Sequence, residues 1–425
     1  MLHHIFKQIW AQRKYNTWIF IELMLVFVLV WYIVDYSFVL VHNRSIPKGY
    51  DTRNTFMVTY GVLPNTSSRY DPGEADSVVM LTNVHRFMDA VRAYPEVEYA
   101  TFVDLYTGSY PYAGGYSNMG IGRDSTEIYI LTRYIQSADY FRVFRFTSSR
   151  DNSFETLAQT DLTAGNKLIM TQYAERKLFP DGSAVGQQVR MDDVPYQVAE
   201  VANDQKRFDY EQPQATLFVY KAITYENYHY FAIAIRVKED IPENLFIEQF
   251  QEEMNSKLRI GNLYLFDIES FSQMKEDTEY RFGITNQIRI RTALMIFLLL
   301  NIGQGIIGTF WFRNQARKGE IGLRMALGSD QKKLQSQLVT ESILLLTAAM
   351  IPALLITFGV VQADLIQTLG VHYTDSGYIT ANKWLRFLIT SGITYVLLIV
   401  IVALSAWIPA YQASKVHPVE ALRDE

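Results

Sequence analysis

Four apolar stretches, each long enough to cross a lipid bilayer, constrain what this chain can fold into. A helix rises about 1.5 Å per residue, so about 20 apolar residues cross a hydrocarbon core of about 30 Å. The four stretches are Trp18–Leu40, Thr292–Phe312, Val339–Val361 and Trp384–Trp407. A long polar region follows the first stretch, whereas the last three lie close together. The sequence therefore predicts an α-helical membrane protein with four transmembrane helices, one plus three, and a large domain between the first and the second.

The charges beside these stretches indicate the orientation of the chain. Lys7, Arg13 and Lys14 precede the first stretch, and no acidic residue does. The loop between the second and third stretches has six basic residues and two acidic ones between positions 313 and 333. Because loops rich in Lys and Arg stay in the cytoplasm, we expect both termini to be cytoplasmic and the large domain to lie on the opposite side.

The positions of the spans divide the chain into nine segments. Apolar residues at helical spacing, such as Leu2, Ile5 and Ile9, predict a cytoplasmic amphipathic helix on the membrane surface over residues 1–16. The other expected segments are transmembrane helix 1 at 17–41, the outer domain at 42–286, helix 2 at 287–313, a cytoplasmic loop at 314–337, helix 3 at 338–362, a short outer loop at 363–383, helix 4 at 384–408 and a cytoplasmic tail at 409–425.

The outer domain mixes helical and strand-like patterns, which predicts an α+β fold. Helical periodicity covers Ala75–Ala93 and Pro242–Lys257. Strand patterns cover Val97–Leu105, Glu127–Ile135, Gln187–Met191, Tyr196–Ala202, Thr216–Lys221, Phe231–Val237 and Asn262–Ile268. Asp192 and Asp193 predict a hairpin turn between two of these strands.

The region from Phe271 into the second apolar stretch is helical in pattern and contains no proline. We therefore expect one continuous helix that starts outside the membrane and enters it. The alternative is an ordinary loop that ends at Gly283.

Three acidic residues lie within the apolar stretches. Glu22 and Glu341 are each about one turn inside a stretch, where an ionisable group is costly and is a functional candidate. Each could pair with a neighbouring helix or with a basic group near the cytoplasmic face, or could extend its carboxylate to the cytoplasmic surface, and we favour the last interpretation. Asp35 is close to the outer end of its stretch, where we expect water to solvate it.

Composition argues against several classes of function. The chain has no cysteine, so it forms neither a disulfide nor a thiolate metal site. Residues 41–286 contain 24 basic and 34 acidic residues, which argues against nucleic acid as a partner. The histidines and acidic residues show no spacing typical of a metal site or a catalytic triad. We therefore predict that the chain is not an enzyme and has no catalytic, metal or cofactor-binding site. A membrane-anchored enzyme is the weaker alternative.

The cytoplasmic loop carries the most specific pattern of the chain. Residues 317–329 read RKGEIGLRMALGS. Glu320 and Arg324 form an i,i+4 pair, and Leu323 with Leu327 forms an apolar edge. A short apolar helix with basic flanks on the cytoplasmic face predicts a partner protein that covers it.

This loop resembles the Arg-x-x-Glu-Ile-Gly-x-Arg-x-Ala-Leu-Gly pattern of the FtsX-like permease family, which includes the MacB-like ABC transporter permeases. Residues 409–423, PAYQASKVHPVEALR, are similar to the C-terminal pattern of that family. Residues 140–144 and 174–186 are similar to the MacB-type periplasmic core domain. Ser329 stands where that family more often has alanine, and the family pattern gives no role for Glu22 or Asp35.

The resemblance implies the permease subunit of a MacB-like ABC transporter in a bacterial cytoplasmic (inner) membrane. Such a permease forms a homodimer or pairs with a paralogous permease, and it binds a cytoplasmic ABC ATPase subunit. ATP hydrolysis would move the periplasmic domain and so export or release a periplasmic substrate such as a peptide, drug or lipoprotein. A periplasmic adaptor and an outer-membrane channel are further partners that the family suggests. The implied ATPase-coupling residues are Glu320, Ile321, Gly322, Leu323, Arg324, Ala326, Leu327 and Gly328.

No Gly-x-x-x-x-Gly-Lys-Ser/Thr occurs in the sequence, so we expect ATP to be bound by the partner ATPase and not by this chain. Two alternative functions stay open at this point. One is control of a cell-wall hydrolase, as in FtsX-like proteins, although the outer domain of about 245 residues is large for that role. The other is an antibiotic-peptide sensing subunit that signals to a kinase, a class that usually has more spans.

Overall fold

The computed structural model describes residues 13–113, 120–123, 126–191, 193–238, 241–316, 319, 323, 329–363, 365 and 382–413. Contacts divide the chain into an outer unit, Asn43–Thr285, and a membrane unit formed by Met1–His42 and Asn286–Glu425. Most of the predicted amphipathic helix at 1–16, of the loop at 363–383 and of the tail at 409–425 lies outside the described residues.

The described secondary structure contains helices in both units and strands in the outer unit. The α-helices are α1 (Arg13–Ser45), α2 (Ser77–Arg92), α3 (Asp139–Phe144), α4 (Phe154–Ala158), α5 (Gln172–Leu178), α6 (Glu243–Lys257), α7 (Phe271–Arg281), α8 (Ile284–Ala316), α9 (Gln331–Gln362) and α10 (Lys383–Ala413). The strands are β1 (Thr55–Val62), β2 (Val97–Asp104), β3 (Gly120–Arg123), β4 (Thr126–Tyr129), β5 (Leu131–Ile135), β6 (Lys167–Thr171), β7 (Gln188–Met191), β8 (Val194–Ala202), β9 (Thr216–Tyr220), β10 (Phe231–Val237) and β11 (Leu263–Ser270).

Four of these helices, α1, α8, α9 and α10, are long and apolar enough to cross a membrane. They follow the predicted one-plus-three order, with the α+β unit between the first and the second, and this confirms the predicted fold class. Ala349 and Ala353 on α9 are fully buried. Small side chains at this i,i+4 spacing let neighbouring helices approach closely within a bilayer. Thr347 of α9 and Tyr395 of α10 also share a hydrogen bond of 2.8 Å.

The outer unit is built on one mixed sheet, whose strand order among the described residues is β11-β1-β10-β2-β5-β9-β6-β8-β7-β3-β4. The pairs β5–β9 and β6–β8 are parallel, and the other pairs are antiparallel. One end of the sheet has the βαββαβ order β1-α2-β2-β10-α6-β11. Strands β3 to β9 are inserted between β2 and β10, so the sequence order hides this arrangement.

Both faces of β1 are buried, because helices cover each side of the sheet at this strand. Phe56 and Val58 contribute to a core with residues of α2 and α6. Met57 points to the opposite face, as alternation along a strand requires, and belongs to a core that includes Phe271. Phe271 is the first residue of α7, so the start of α7 is anchored in the core of the outer unit.

The predicted hairpin is confirmed. Strands β7 and β8 pair antiparallel, and Met191 lies opposite Val194, which leaves a two-residue turn. Asp193 has a φ of 64°, in the left-handed region that two-residue hairpin turns use.

The single strand predicted over Glu127–Ile135 is wrong, because β4 and β5 are separate strands with different partners: β4 pairs with β3, and β5 with β2 and β9.

The continuous helix predicted from Phe271 into the second span is also wrong. Helix α7 ends at Arg281, and α8 begins at Ile284. Gly283 between them has a φ of 67°, and its N–H donates to the carbonyl of Tyr280 at 2.9 Å. A left-handed glycine just after the last helical turn ends a helix at little cost, because glycine has no Cβ to clash.

Candidate functional site: the coupling loop, buried ion pairs and a polar cluster of the outer unit

The predicted ATPase-coupling residues fall almost entirely outside the part of the chain that the structure describes. Leu323 is the exception: it is helical, and 52% of its surface is exposed. The other predicted residues, Glu320, Ile321, Gly322, Arg324, Ala326, Leu327 and Gly328, lie outside the described residues. Their role therefore stays a prediction, whereas the helices on either side of the loop are described.

The helices that flank this loop are joined by a buried ion pair. A guanidinium nitrogen of Arg313, near the end of α8, lies 2.5 Å from a carboxylate oxygen of Glu341 on α9. The side chains are 6% and 1% exposed. Glu341 therefore does not extend to the membrane surface, and the favoured interpretation was wrong for this residue. A paired charge tolerates burial that an isolated one does not, since each partner replaces water for the other.

Glu22 also has a partner within the membrane unit. The hydroxyl of Thr309 on α8 donates to both carboxylate oxygens of Glu22, at 3.1 and 2.9 Å. The nearest atom to a Cβ built on Gly305 would be an oxygen of Glu22, at 3.8 Å. Of the interpretations considered for Glu22, pairing with a neighbouring helix is the one that describes its contacts.

Asp35 is buried, so the expectation that water solvates it was wrong. It is fully buried on α1, and one of its carboxylate oxygens lies 3.2 Å from Nε of Arg386 on α10. Arg386 is only 2% exposed. The first and last spans are thus joined by an ion pair, as α8 and α9 are. The sequence showed the acid, but the partner lies about 350 residues away and nothing in the local pattern indicates it.

The outer unit has its own polar cluster, where three separate segments meet. We call residues 43–51 the N-terminal connector, because they run from the last turn of α1 into the outer unit, and α7 the C-terminal connector, because it precedes the second span. The bridging loop is residues 203–215. Asp209 of the bridging loop forms two ion pairs. Its carboxylate oxygens lie 2.9 Å from Nζ of Lys48 and 2.6 Å from Nζ of Lys275 on α7.

The bridging loop also holds the N-terminal connector through Lys206 and Asn43. Lys206 is 2% exposed, and its ammonium donates to the carbonyl of Asn43 at 2.6 Å and to that of Asp209 at 3.0 Å. The amide of Asn43 donates to the carbonyl of Tyr210 at 3.1 Å. The backbone N–H of Lys206 donates to the carbonyl of Lys48 at 3.1 Å. Main-chain and side-chain contacts therefore hold the same two segments together.

A glycine allows this close approach. Gly49 has a φ of 80°, and a Cβ built on it would lie 2.1 Å from the carbonyl oxygen of Asp204. No side chain fits in that gap without moving the backbone, so the contact between the N-terminal connector and the bridging loop requires glycine at this position.

Charge and burial perturb the titration of this cluster. Burial lowers the pKa of Lys206 to about 8. Burial alone would raise the pKa of Asp209, but hydrogen bonds from Lys275 and Lys48 outweigh it and hold the pKa below its ordinary value. Burial raises the pKa of Glu279, which lies 3.7 Å from Lys275. Asp209 is therefore the ionised centre of the cluster.

Sequence reasoning missed this cluster because its members lie in loops and on one polar helix. Lys48, Lys206 and Asp209 belong to no periodic pattern, and Lys275 reads as an ordinary exposed helical residue. The glycine at position 49 was a signal of close backbone approach, but nothing in the sequence named the segment that it approaches.

Comparison with known proteins places both units in one family. A sequence model of the MacB-like periplasmic core domain matches residues 37–253, which are 217 of the 425 residues. A model of the FtsX-like permease C-terminal region matches residues 292–418. The two matches cover most of the outer unit and the last three spans with the loop between α8 and α9.

Curated relatives agree with these matches. The uncharacterized ABC transporter permease YvrN of Bacillus subtilis is 25% identical over 306 residues, which are 68% of either chain. The macrolide export ATP-binding/permease protein MacB of Escherichia coli K12 is 24% identical over 296 residues, which are 68% of this chain and 43% of that protein. The chain thus matches about two fifths of the length of the MacB proteins.

Among solved structures, the periplasmic region of MacB from Actinobacillus actinomycetemcomitans aligns with 54% of this chain and 94% of that chain, with a TM-score of 0.31 and 11% identity.

The core-domain match covers half of the sequence, and the permease match follows it in the one-plus-three order of the four membrane helices. The chain is therefore a multi-pass membrane protein that belongs to the family of FtsX-like, MacB-like ABC transporter permeases.

Proposed function

We propose that this chain is the permease subunit of an ABC transporter that converts ATP hydrolysis by a separate cytoplasmic ATPase into movement of its outer unit. That movement would export or release a substrate already outside the membrane, such as a peptide, drug or lipoprotein. The observation that carries the proposal is the joint match of a periplasmic core domain and an FtsX-like permease region on one chain in one-plus-three order.

The surroundings of the cytoplasmic loop support a role in docking the ATPase. Leu323 is half exposed, as an apolar residue that awaits a partner would be. The Arg313–Glu341 ion pair joins the helix before the loop to the helix after it. A force applied to the loop would therefore reach both helices and would not be absorbed by a loose connection.

A permease with this role would have the location and the partners that its family suggests. The permease is placed in a bacterial cytoplasmic membrane, with both termini inside and the outer unit in the periplasm. It works as a homodimer or with a paralogous permease and binds the cytoplasmic ATPase, which supplies the ATP site, so this chain is not itself an enzyme and binds no cofactor. A periplasmic adaptor and an outer-membrane channel would complete an export pathway.

The test measures ATP hydrolysis by the proposed partner ATPase, reconstituted with the full chain in lipid nanodiscs. The variant combines Leu323→Asp with Leu327→Asp, which places two charges on the apolar edge of the loop. An unpaired charge buried against an apolar surface is costly, and a loss of about 1.4 kcal/mol lowers affinity tenfold. We expect the variant to lose co-purification with the ATPase and permease-dependent hydrolysis.

A matched control combines Leu245→Asp with Val78→Asp, two exposed apolar residues on helices of the outer unit. This control should bind the ATPase and support hydrolysis like the wild type. If the loop variant also assembles and hydrolyses ATP normally, the loop is not the docking site and the proposed coupling is wrong.

A further inference from the structure

The outer unit is connected to the membrane helices by two chain segments that are far apart in sequence. The N-terminal connector, residues 43–51, begins in the last turn of α1, and the C-terminal connector, α7, precedes α8. More than 200 residues separate them. Strand β1 follows the first connector and pairs with β11, which precedes the second, so Phe56 lies opposite Ser270. This pairing joins the strands beyond the connectors, and the bridging loop contacts the connectors themselves.

Asp209 on the bridging loop contacts both connectors at once. Its two carboxylate oxygens lie 2.9 Å from Nζ of Lys48 and 2.6 Å from Nζ of Lys275. The three side chains are 36% exposed or less, and both ammonium groups lie about 6 Å from the ring centre of Tyr112. Partial burial and the shared aromatic face separate this cluster from exposed ion pairs, which contribute little.

The bridging loop is itself fixed to the N-terminal connector by groups that do not depend on Asp209. Lys206 donates to the carbonyl of Asn43, and Gln212 donates to the side chain of Asn43 at 3.3 Å. On the other side, Phe208 packs against Phe282, just beyond α7, with ring centres 6.1 Å apart. The bridging loop thus contacts the N-terminal connector through hydrogen bonds and the residue after α7 through an aromatic contact, and Asp209 adds ion pairs to Lys48 and to Lys275 of α7.

We propose that Asp209 is a positioning residue that ties the N-terminal and C-terminal connectors to each other, so that movements of the first and second spans reach the outer unit together. The tie is a property of the outer unit alone. Its use in transmitting ATP-driven movement rests on the proposed function, so the experiment measures the tie and its use separately.

The first measurement is hydrogen exchange of the full chain in lipid nanodiscs without any ATPase. Asp209→Asn keeps the size of the side chain and removes its charge. We expect backbone amides in residues 44–51 and 271–282 to exchange about tenfold faster in this variant, because the ion pairs with Lys48 and Lys275 are weakened. Amides of β10 should exchange as in the wild type. Unchanged exchange in either connector would overturn the proposal.

Asp139→Asn is the matched control. Asp139 is also an outer-unit carboxylate that bridges two cations, Arg92 at 3.2 Å and Arg142 at 2.9 Å, and its side chain is 23% exposed against 22% for Asp209. It belongs to neither connector, so its removal should leave both connectors protected. Faster connector exchange in this control would show general loosening of the outer unit and would overturn the specific role of Asp209.

A second variant tests the tie without touching a charge. Gly49→Ala places a Cβ against the carbonyl of Asp204 and should separate the N-terminal connector from the bridging loop. Gly165→Ala is its control, because Gly165 has a similar φ of 73° but no atom within 4 Å of a Cβ built on it. Both variants carry the same backbone strain, so faster connector exchange in Gly49→Ala alone supports the tie. Equal exchange in the two would contradict it.

The last measurement repeats the exchange experiment on the complex with the ATPase, with and without ATP. In the wild type we expect ATP to change exchange in both connectors. In Asp209→Asn we expect hydrolysis to continue while the ATP-dependent change is confined to one connector. A change that stays equal in both would overturn the transmitting role of Asp209. If the wild type shows no ATP-dependent change, the proposed function fails, and with it the transmitting role, whereas the tie is decided by the measurement without ATPase.

Discussion

Arg313 and Glu341 show how a single contact makes a charge tolerable inside a membrane segment. Either group alone in the hydrocarbon region would cost several kcal/mol, although a paired and hydrogen-bonded charge costs much less. Their separation of 2.5 Å and nearly complete burial leave little room for water to replace a lost partner. Removing one partner is therefore expected to be worse than removing both.

We predict that Glu341→Gln destabilises the membrane unit by about 3–5 kcal/mol, because it neutralises the carboxylate that faces the buried Arg313 guanidinium. The double change Glu341→Leu with Arg313→Leu should be less destabilising than the single change. The measurement is the thermal unfolding midpoint of the full chain in nanodiscs.

Glu248→Gln, on the exposed face of α6, is the control and should change stability by less than about 0.5 kcal/mol. If Glu341→Gln unfolds at the wild-type temperature, the ion pair does not support the helices that flank the cytoplasmic loop.

At the scale of elements, the break between α7 and α8 depends on one glycine and its neighbour. Phe282, the residue before Gly283, packs against Phe208, and the guanidinium of Arg207 lies 4.8 Å from its ring centre. The apolar contact and the left-handed glycine both favour ending α7 here. The helical pattern of the sequence continues through this point, which is why the pattern alone predicted one helix.

We predict that Gly283→Ala favours a continuous helix, because alanine is about 1 kcal/mol better than glycine within a helix and is strained in the left-handed region. Hydrogen exchange of amides 281–286 should slow in this variant. Unchanged or faster exchange would mean that the packing of Phe282 imposes the break and that the glycine only permits it.

Strands were predictable where alternation was local and were missed where tertiary contacts decide. The hairpin of β7 and β8 follows from two alternating runs with a two-residue turn, and its partners are adjacent in sequence. Strand β1 was not predicted, because both of its faces are buried and its neighbours, β10 and β11, lie more than 150 residues away. A strand buried on both faces shows no alternation to detect.

At the scale of the whole molecule, the two units differ in surface chemistry: the surface of one is suited to lipid and that of the other to water. The surface of the membrane unit exposes large apolar side chains such as Leu25, Leu29 and Leu355. The outer unit instead contains most of the described ion pairs that are partly exposed. The excess of basic residues in the loop between α8 and α9 favours the orientation that we propose for these two units.

The absence of cysteine makes that orientation simple to test. Single substitutions Ser68→Cys, at an exposed position of the outer unit, and Lys332→Cys, at the exposed start of α9, each introduce one thiol. A membrane-impermeant maleimide should label Ser68→Cys in intact spheroplasts and Lys332→Cys only after the membrane is permeabilised. The cysteine-free wild type is the control, and the reverse labelling pattern would contradict the proposed orientation.

The sequence by itself determined the number of spans, their one-plus-three order and the α+β class of the outer unit, because apolar length and periodicity are local properties of the chain. It also indicated the family, through short motifs in the loop and the C-terminal tail. Tertiary structure alone decided that Asp35 meets Arg386 and that Asp209 joins Lys48 to Lys275. The reason is physical: a charge becomes stable in a buried place only through a partner, and the partner is chosen by how distant segments fold together.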